Sequence, residues 1–287
     1  MTSGACLVGP STTDQINSFL NEYTPSANQH TETGWIWCQL SRCAEGSGKP
    51  AENQDHASFE EEGAALVQDL VDECKKIKET APVRANKKKG LKSQKELREA
   101  KHAEFNQSVK ELAHKHSVLS GKWLFFCGHD TVDSVWGRIV NELAAVDGAL
   151  AQTGAVHCAK VSSVAEEGGN YLICVYCDNS WDKDGVAKVF KALVQNLRLV
   201  SAAYKCDANT ILGIDSKHES GIRSSMYGKN DFMTAAEINE AFKETTKAKE
   251  VKRKTLEEEQ AEGDGFDTTS ESEDDESVKK KAKRAKT

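Results

Sequence analysis

The chain has 287 residues, of which 45 are acidic and 38 are basic, giving a formal net charge of −7 at pH 7. This length suits one large domain or two small ones. The acidic balance excludes binding to polyanions through overall charge, so any nucleic-acid contact needs a local basic patch. No run approaches about 18 apolar residues, and residues 1–10 lack a basic start and a long apolar run, so we expect no membrane span and no secretory leader. The nine cysteines are then expected to be reduced and mostly buried.

The N-terminal part predicts one short helix and one strand. Residues 1–33 are typical of a loose arm around a helix that carries Ile16, Phe19 and Leu20. Residues 34–40 then predict a strand whose two faces differ: Trp35, Trp37 and Gln39 on one, and Ile36, Cys38 and Leu40 on the other. Residues 41–56, rich in small and polar residues, predict a loop.

A helical insert is predicted at about 57–117. Residues 59–79 have an apolar stripe, with acidic residues early and lysines late, an order that suits the helix dipole. Pro82 ends this helix, and a second, more polar one is predicted at about 94–116.

Residues 120–214 have the densest apolar patterning in the chain. They predict strands at 121–127, 155–164, 171–178, 202–205 and 210–214, with 155–164 and 171–178 forming an antiparallel hairpin around a turn at 166–169. They also predict two helices, one capped by Asp130 and Thr131 and one at 182–199.

The C-terminal residues become polar and then highly charged. A polar helix is predicted within 231–262, and 263–287 is predicted to be a disordered tail with seven acids at 264–277 followed by six bases at 279–286. The bases are of the nuclear-import type that importin binds; the alternative is a solvated terminus that neutralises the adjacent acids. They are Lys279, Lys280, Lys281, Lys283, Arg284 and Lys286.

Three hydroxyl residues in this tail are predicted phosphorylation sites, namely Thr268, Ser270 and Ser272. Each has an acid three residues later, the pattern used by acid-directed kinases, so we expect a phosphoprotein. Phosphate next to the basic cluster would weaken importin binding by charge pairing. Glutamate substitutions at the three positions are therefore expected to reduce nuclear accumulation of a fluorescent fusion, and unchanged accumulation would contradict this hypothesis.

A set of motifs within the central residues resembles a known but uncharacterised family. The motifs are Ser-Gly-Lys-Trp at 120–123, Asp-Ser-Val-Trp at 133–136, Ala-Lys-Val-Ser at 159–162, Tyr-Lys at 204–205 and Ile-Leu-Gly-Ile at 211–214. As a set they are similar to the family of the basophilic leukaemia-expressed protein, over roughly residues 12–40 and 112–230. The helical insert and the tail lie outside this resemblance. It implies a fold similar to that of the eukaryotic mRNA cap-binding translation initiation factor.

The cap-binding factor itself is a more distant match. Its Gly-Arg-Trp-Leu strand resembles residues 121–124, and its Gly-Ala-Val-Val-Asn-Val-Arg strand resembles residues 154–160. The last arginine of that strand contacts the cap phosphates, so the resemblance implies Lys160 as a phosphate contact. The Trp-Glu pair that precedes the factor's Gly-Arg-Trp strand has no counterpart in residues 113–119, which contain neither tryptophan nor a carboxylate.

The candidate binding residues are four basic side chains and one aromatic ring. If their strands are neighbours, Lys122, Lys160, Lys205 and Arg223 would form a basic lining for phosphate groups; otherwise they are solvated charges on strand faces. Trp37 could offer a stacking platform beside them, whereas Trp123 and Trp136 are expected in the core. Cys174 and Cys177 form a C-x-x-C, but on a strand their sulfurs diverge, so no metal site is predicted.

These observations predict one α/β (α+β) domain at 1–230. In it a curved, mostly antiparallel sheet is backed by helices on one face, as in cap-binding factors. No nucleophile elbow, P-loop or catalytic pair is recognisable, so we expect no enzyme and no cofactor. The first hypothesis is an RNA-binding or nucleotide-binding protein, cytoplasmic or nuclear, that uses the concave sheet face. The alternative is an adaptor for an unknown protein partner that keeps the fold without the ligand and docks through the helix surfaces near 135–136 or 189–190.

Overall fold

The computed structural model describes residues 5–27, 33–41, 55–165 and 168–247 of the chain. Within these residues six strands form one open sheet in the order β1-β2-β4-β5-β3-β6. β1 and β2 are parallel, and every other neighbouring pair of strands is antiparallel. The strands are β1 Cys6–Gly9, β2 Trp35–Leu40, β3 Gly121–Gly128, β4 Val156–Ser162, β5 Asn170–Cys177 and β6 Ala203–Cys206.

Eight helices accompany the sheet in the described part of the chain. They are α1 Thr13–Glu22, α2 His56–Thr80, α3 Gln94–Lys115, α4 His129–Ala144, α5 Ala149–Gln152, α6 Lys183–Gln195, α7 Asp207–Ile211 and α8 at 235–247. Residues up to 245 belong to one compact unit, and residues 246–287 form a second unit, of which the structure describes the first two residues. None of the described helices is both long and apolar enough to cross a membrane.

The main hydrophobic core lies between one face of the sheet and the helices α1, α4, α6 and α8. The alternation predicted for β2 is confirmed, since Ile36 and Cys38 are fully buried in this core while Trp35 and Trp37 are half-buried on the other face. The antiparallel pairing predicted for the 155–164 and 171–178 segments is also confirmed, by β4 and β5. The sheet therefore has one face covered by helices and a second face with mixed polar and aromatic side chains.

The tryptophans predicted to be structural are in this main core. Trp123 and Trp136 are both fully buried. Phe190 and Val189 are fully buried as well, and Val135 is 8% exposed, so these residues of the adaptor alternative do not themselves form an exposed surface. The physical reason is that each pair lies on the inward stripe of an amphipathic helix, α4 or α6, which packs on the sheet.

Helices α2 and α3 form a hairpin that packs around a second, smaller apolar cluster. Phe59 and Leu70 of α2 and Phe105 and Val109 of α3 contribute to it, together with residues of the α7 region. Because the two helices share this cluster, even the polar helix α3 has a buried side. The hairpin occupies the residues predicted as a helical insert.

The N-terminus of α3 has a complete capping box. The Ser93 hydroxyl accepts a hydrogen bond from the backbone N–H of Glu96, and the Glu96 carboxylate accepts one from the backbone N–H of Ser93 at 2.7 Å. The carboxylate's hydrogen bonds with Ser93 hold the pKa of Glu96 below its usual value. The box satisfies two backbone donors that the helix itself leaves unpaired.

Ser93→Ala is expected to destabilise the protein by about 1 kcal/mol, because it removes the hydroxyl that accepts from Glu96 N–H and donates to the Glu96 carboxylate. Urea denaturation followed by circular dichroism measures the change. Ser108→Ala in the same helix is the matched control, expected to change stability by no more than about 0.5 kcal/mol. Equal effects of the two substitutions would contradict a specific role for the cap.

Two predicted local structures are wrong. Residues 210–214 do not form a strand: α7 covers 207–211, and the chain turns at Gly213, whose φ is +70°. Leu212 and Ile214 are buried in the second apolar cluster, so their apolar run is explained by the helical hairpin rather than by the sheet. Asp130 and Thr131 do not cap α4, because β3 continues directly into this helix and Gly128 is at the N-cap.

Candidate binding surface on the sheet

Six side chains lie together on the sheet face opposite the main core. They are Trp35, Trp37, Lys122, Lys160, Tyr176 and Lys205, and we call this surface the lysine–tryptophan face. Strand alternation sets their direction, since Ile36, Trp123 and Val161, which precede or follow them on the strands, point into the main core. The face thus follows from the same alternation that builds the core.

The register of the sheet sets the positions of these side chains in two rows. In one row Trp37 of β2 is opposite Lys160 of β4, which is opposite Cys174 of β5. In the next row Tyr176 of β5 is opposite Lys122 of β3, which is opposite Lys205 of β6. Directly paired residues on one face are within side-chain reach, so three predicted lysines and Trp37 do lie on one surface.

Lys160 lies at the centre of an aromatic group. Its Nζ is 3.8 Å from the centroid of the Trp35 ring, 5.0 Å from that of Trp37 and 5.8 Å from that of Tyr176. Burial lowers the pKa of Lys160, and the nearby Lys122 contributes in the same direction. The faces of aromatic rings attract a cation, so the three rings favour the charged form that burial disfavours.

The aromatic rings also have a geometry suited to flat ligands. The centroids of Trp37 and Tyr176 are 6.4 Å apart, and the ring planes differ by only 21°. Both side chains are half-buried, so parts of their surfaces reach solvent. Burial raises the pKa of Tyr176, so its hydroxyl is neutral at physiological pH. The face therefore offers uncharged ring surfaces next to a cation.

Lys122 and Lys205 differ in their electrostatic surroundings although they are directly opposite each other. Lys122 Nζ donates to Asp207 Oδ1 at 2.5 Å, and the same carboxylate accepts from the Ser120 hydroxyl at 2.5 Å. The side chains of Lys122 and Asp207 are 14% and 17% exposed. Lys205 has no salt bridge with a residue in the described ranges. Lys160 and Lys205 thus remain the cations of this face that no carboxylate neutralises within the described residues.

Arg223 does not join the lysine–tryptophan face. The chain that follows it runs along the outer edge of β6, where Met226 N–H donates to the Tyr204 carbonyl at 2.8 Å. Strands β5, β3 and β6 lie between that edge and β4, so Arg223 is on the order of 20 Å from Lys160 by strand spacing alone. The sequence showed a basic residue here but not its distance from the others.

Tyr176 on the lysine–tryptophan face and Asp207 beside it were not predicted. Tyr176 belongs to β5, where alternation alone assigns it a face, but only the register reveals its neighbours Lys122 and Lys160. Asp207 follows β6 directly and neutralises Lys122. Its position after a strand could have suggested a carboxylate near the lysines, but the partner could not be inferred without the fold.

The two cysteines of the C-x-x-C lie on opposite faces of β5, as strand alternation predicts. Cys177 is in the main core, whereas Cys174 is on the opposite face in the row with Lys160. No group of three or more histidine, cysteine or acidic side chains suited to a metal ion occurs in the described part of the chain. The predicted import cluster at 279–286 and the phosphorylation sites Thr268, Ser270 and Ser272 lie outside the described residues, as do residues 166–167 of the predicted turn.

A comparison with protein-family models decides the family of this chain. The model described as basophilic leukemia-expressed protein Bles03 matches residues 8–213, which is most of the chain. The chain belongs to the Bles03 family. The matched range contains β2 to β6 and therefore all six residues of the lysine–tryptophan face. It also runs through α2 and α3, which the resemblance of the sequence motifs had left outside the family. Arg223 lies beyond the matched range.

Proposed function

We propose that this Bles03-family chain is a non-enzymatic protein that binds RNA or nucleotide phosphates on its lysine–tryptophan face. The observation that carries the proposal is the position of the Lys160 ammonium among the rings of Trp35, Trp37 and Tyr176. Aromatic rings that stack on bases, next to cations that contact phosphates, are the two components of sequence-tolerant single-strand binding.

The likeness to the cap-binding factor supports the same surface. An open, mostly antiparallel sheet with helices packed on one face is what a cap-binding-like fold is expected to have. Lys160, which the motif match implies as a phosphate contact, is the lysine that the rings surround. The cap-binding-like fold is part of this proposal.

Binding would exchange one set of contacts for another. A base that stacks on Trp35 or Trp37 takes the place of the Lys160 ammonium on that ring. The ammonium then donates to a phosphate oxygen of the same ligand, and a charge-assisted hydrogen bond replaces a cation–π contact. Lys205, without a carboxylate partner in the described residues, is placed to contact a second phosphate.

Two substitutions test the proposal with separate readouts. Trp37→Ala is expected to weaken binding of a ten-nucleotide single-stranded RNA by about 1–3 kcal/mol, the worth of one stacked base. Lys160→Ala is expected to weaken binding and to reduce the slope of log K against log salt by about 0.7, the contribution of one phosphate contact on a single strand. Fluorescence anisotropy of labelled RNA at several salt concentrations measures both effects.

The control is Lys188→Ala, which removes an exposed lysine of α6 on the helical side of the sheet. It is expected to leave the affinity for RNA nearly unchanged. If the folded wild-type chain binds neither RNA nor GTP, the proposal is wrong and the adaptor alternative gains. If Lys188→Ala weakens RNA binding as much as Lys160→Ala does, RNA is held by general electrostatic attraction and not by the lysine–tryptophan face.

A further inference from the structure

A cavity of about 340 Å³ lies beside the C-terminal end of β6, between α3, α7 and the segment at 223–226. Its wall includes Trp181, Cys206, Asn209 and Arg223. Cys206 and Lys205 are consecutive residues of β6, so the cavity and the lysine–tryptophan face lie on opposite sides of that strand. The cavity is therefore separate from the surface proposed above.

Asn209 is the first observation that points to a ligand. It is only 7% exposed and lines the cavity. Its backbone carbonyl accepts from Ile214 N–H at 2.9 Å, but its side-chain amide has no hydrogen-bond partner among the described residues. Among the described residues the buried side-chain atoms without a partner are the indole nitrogens of Trp123 and Trp136, so the Asn209 amide reaches the open space of the cavity and can donate to and accept from a group bound there.

Arg223 gives the charge of that group. Its Nε donates to the Ser225 hydroxyl at 2.7 Å, which orients the guanidinium, and its terminal nitrogens, of which Nη2 lies beside Gly228, remain as donors. Within the described ranges Arg223 has no salt bridge to a carboxylate. An oriented guanidinium without a counter-ion at the edge of a cavity suits a phosphate group, which it can contact with two parallel hydrogen bonds.

Trp181 and its neighbours give the shape of the rest of the ligand. The half-buried Trp181 is held by its backbone N–H, which donates to Asn179 Oδ1 at 2.9 Å, and its ring contacts His114 at 5.5 Å between centroids. Val109 and Met226 add apolar wall next to it. The volume is at the lower end of the range of small-molecule sites, about 300–1,000 Å³. Such a site suits one flat ring of nucleobase size.

We propose that this cavity binds a nucleoside monophosphate. Its base lies against Trp181, its edge is hydrogen-bonded by the Asn209 amide, and its phosphate is held by Arg223. An amide that both donates and accepts matches the edge of a nucleobase, and the guanidinium matches the phosphate. This site does not depend on the function proposed for the lysine–tryptophan face.

Isothermal titration of the full chain with AMP, GMP, adenosine and inorganic phosphate tests the proposal. AMP or GMP is expected to bind with one site per chain, and more tightly than adenosine or inorganic phosphate. Arg223→Ala is expected to weaken the mononucleotide by about tenfold or more, because one charge-assisted contact is lost. Arg223 is exposed, so this substitution leaves the core intact. Lys188→Ala is the control.

Three results would overturn the proposal. One is the absence of mononucleotide binding by the folded chain. Another is inorganic phosphate binding as tightly as AMP and GMP, which would show that the ring plays no part. The third is mononucleotide binding that is lost in Lys160→Ala but kept in Arg223→Ala, which would assign the nucleotide to the lysine–tryptophan face instead. Failure of RNA binding on that face leaves the result for this cavity unaffected.

Discussion

Replacing Trp123 by alanine is expected to destabilise the protein by about 3–5 kcal/mol, the cost of removing a large ring from a close-packed core. Trp123 is fully buried at the centre of an aromatic group. Its ring centroid is 4.8 Å from that of Phe190, 5.0 Å from Tyr204 and 5.8 Å from Phe232. One side chain thus joins β3 to α6, to β6 and to the chain before α8, and its loss leaves a cavity between them.

A second substitution separates the ring from its polar group. The indole N–H of Trp123 is buried and has no hydrogen-bond partner among the described residues. Trp123→Phe keeps most of the aromatic volume and removes this unpaired donor, so it is expected to cost less than about half of the alanine substitution. Urea denaturation at pH 7 measures both variants.

The matched control is Phe126→Ala on the same strand. Phe126 is 54% exposed, so it is expected to cost about 1 kcal/mol or less. A cost for Trp123→Ala that is no larger than that for Phe126→Ala would contradict the position of Trp123 in the core.

The sequence predicts those elements whose burial is one-sided. β2 alternates in burial at every residue, and α4 and α6 each bury one helical stripe. Their apolar residues therefore recur in the sequence at strand or helix spacing, which identifies these elements without the structure. β1 is a four-residue strand whose first three residues are not buried, so no alternation identified it. The apolar run at 211–214 is too short for its spacing to distinguish a strand from a buried helix end. The element that it packs against, the α2–α3 hairpin, lies more than ninety residues earlier in the chain.

The candidate site depends on non-local pairing. Trp37 and Lys160 are opposite each other only because β2 pairs with β4, across more than one hundred residues of chain. Composition and periodicity give each side chain a face, but not the order of the strands. The same limit explains why Arg223 was grouped with the lysines: its type suits phosphate, and only the position of its segment beyond β6 separates it.

A methylated cap analogue is expected to bind the lysine–tryptophan face more weakly than GTP does. Cap recognition combines ring stacking with a carboxylate that accepts from the base edge, and the motif match finds no such residue at 113–119. Asp207, the carboxylate that the structure adds to this face, already accepts from Lys122 and Ser120. When a base takes its place on a ring, the Lys160 ammonium stays nearby to contact the phosphate, so the positive charge of a methylated guanine would lie near a like charge.

The size of this discrimination follows from the charges. Two like charges about 6 Å apart repel by about 3 kcal/mol at an effective dielectric constant of about 20. Solvent exposure of the face reduces this repulsion energy. We therefore expect 7-methyl-GTP to bind about tenfold more weakly than GTP. Lys160→Gln is expected to abolish the difference, whereas Lys160→Arg is expected to keep it. Competition of both nucleotides against labelled RNA measures the ratio. Tighter binding of the methylated nucleotide would contradict the role of Lys160 on the rings, while failure of both nucleotides to compete would count against nucleotide binding on this face as such.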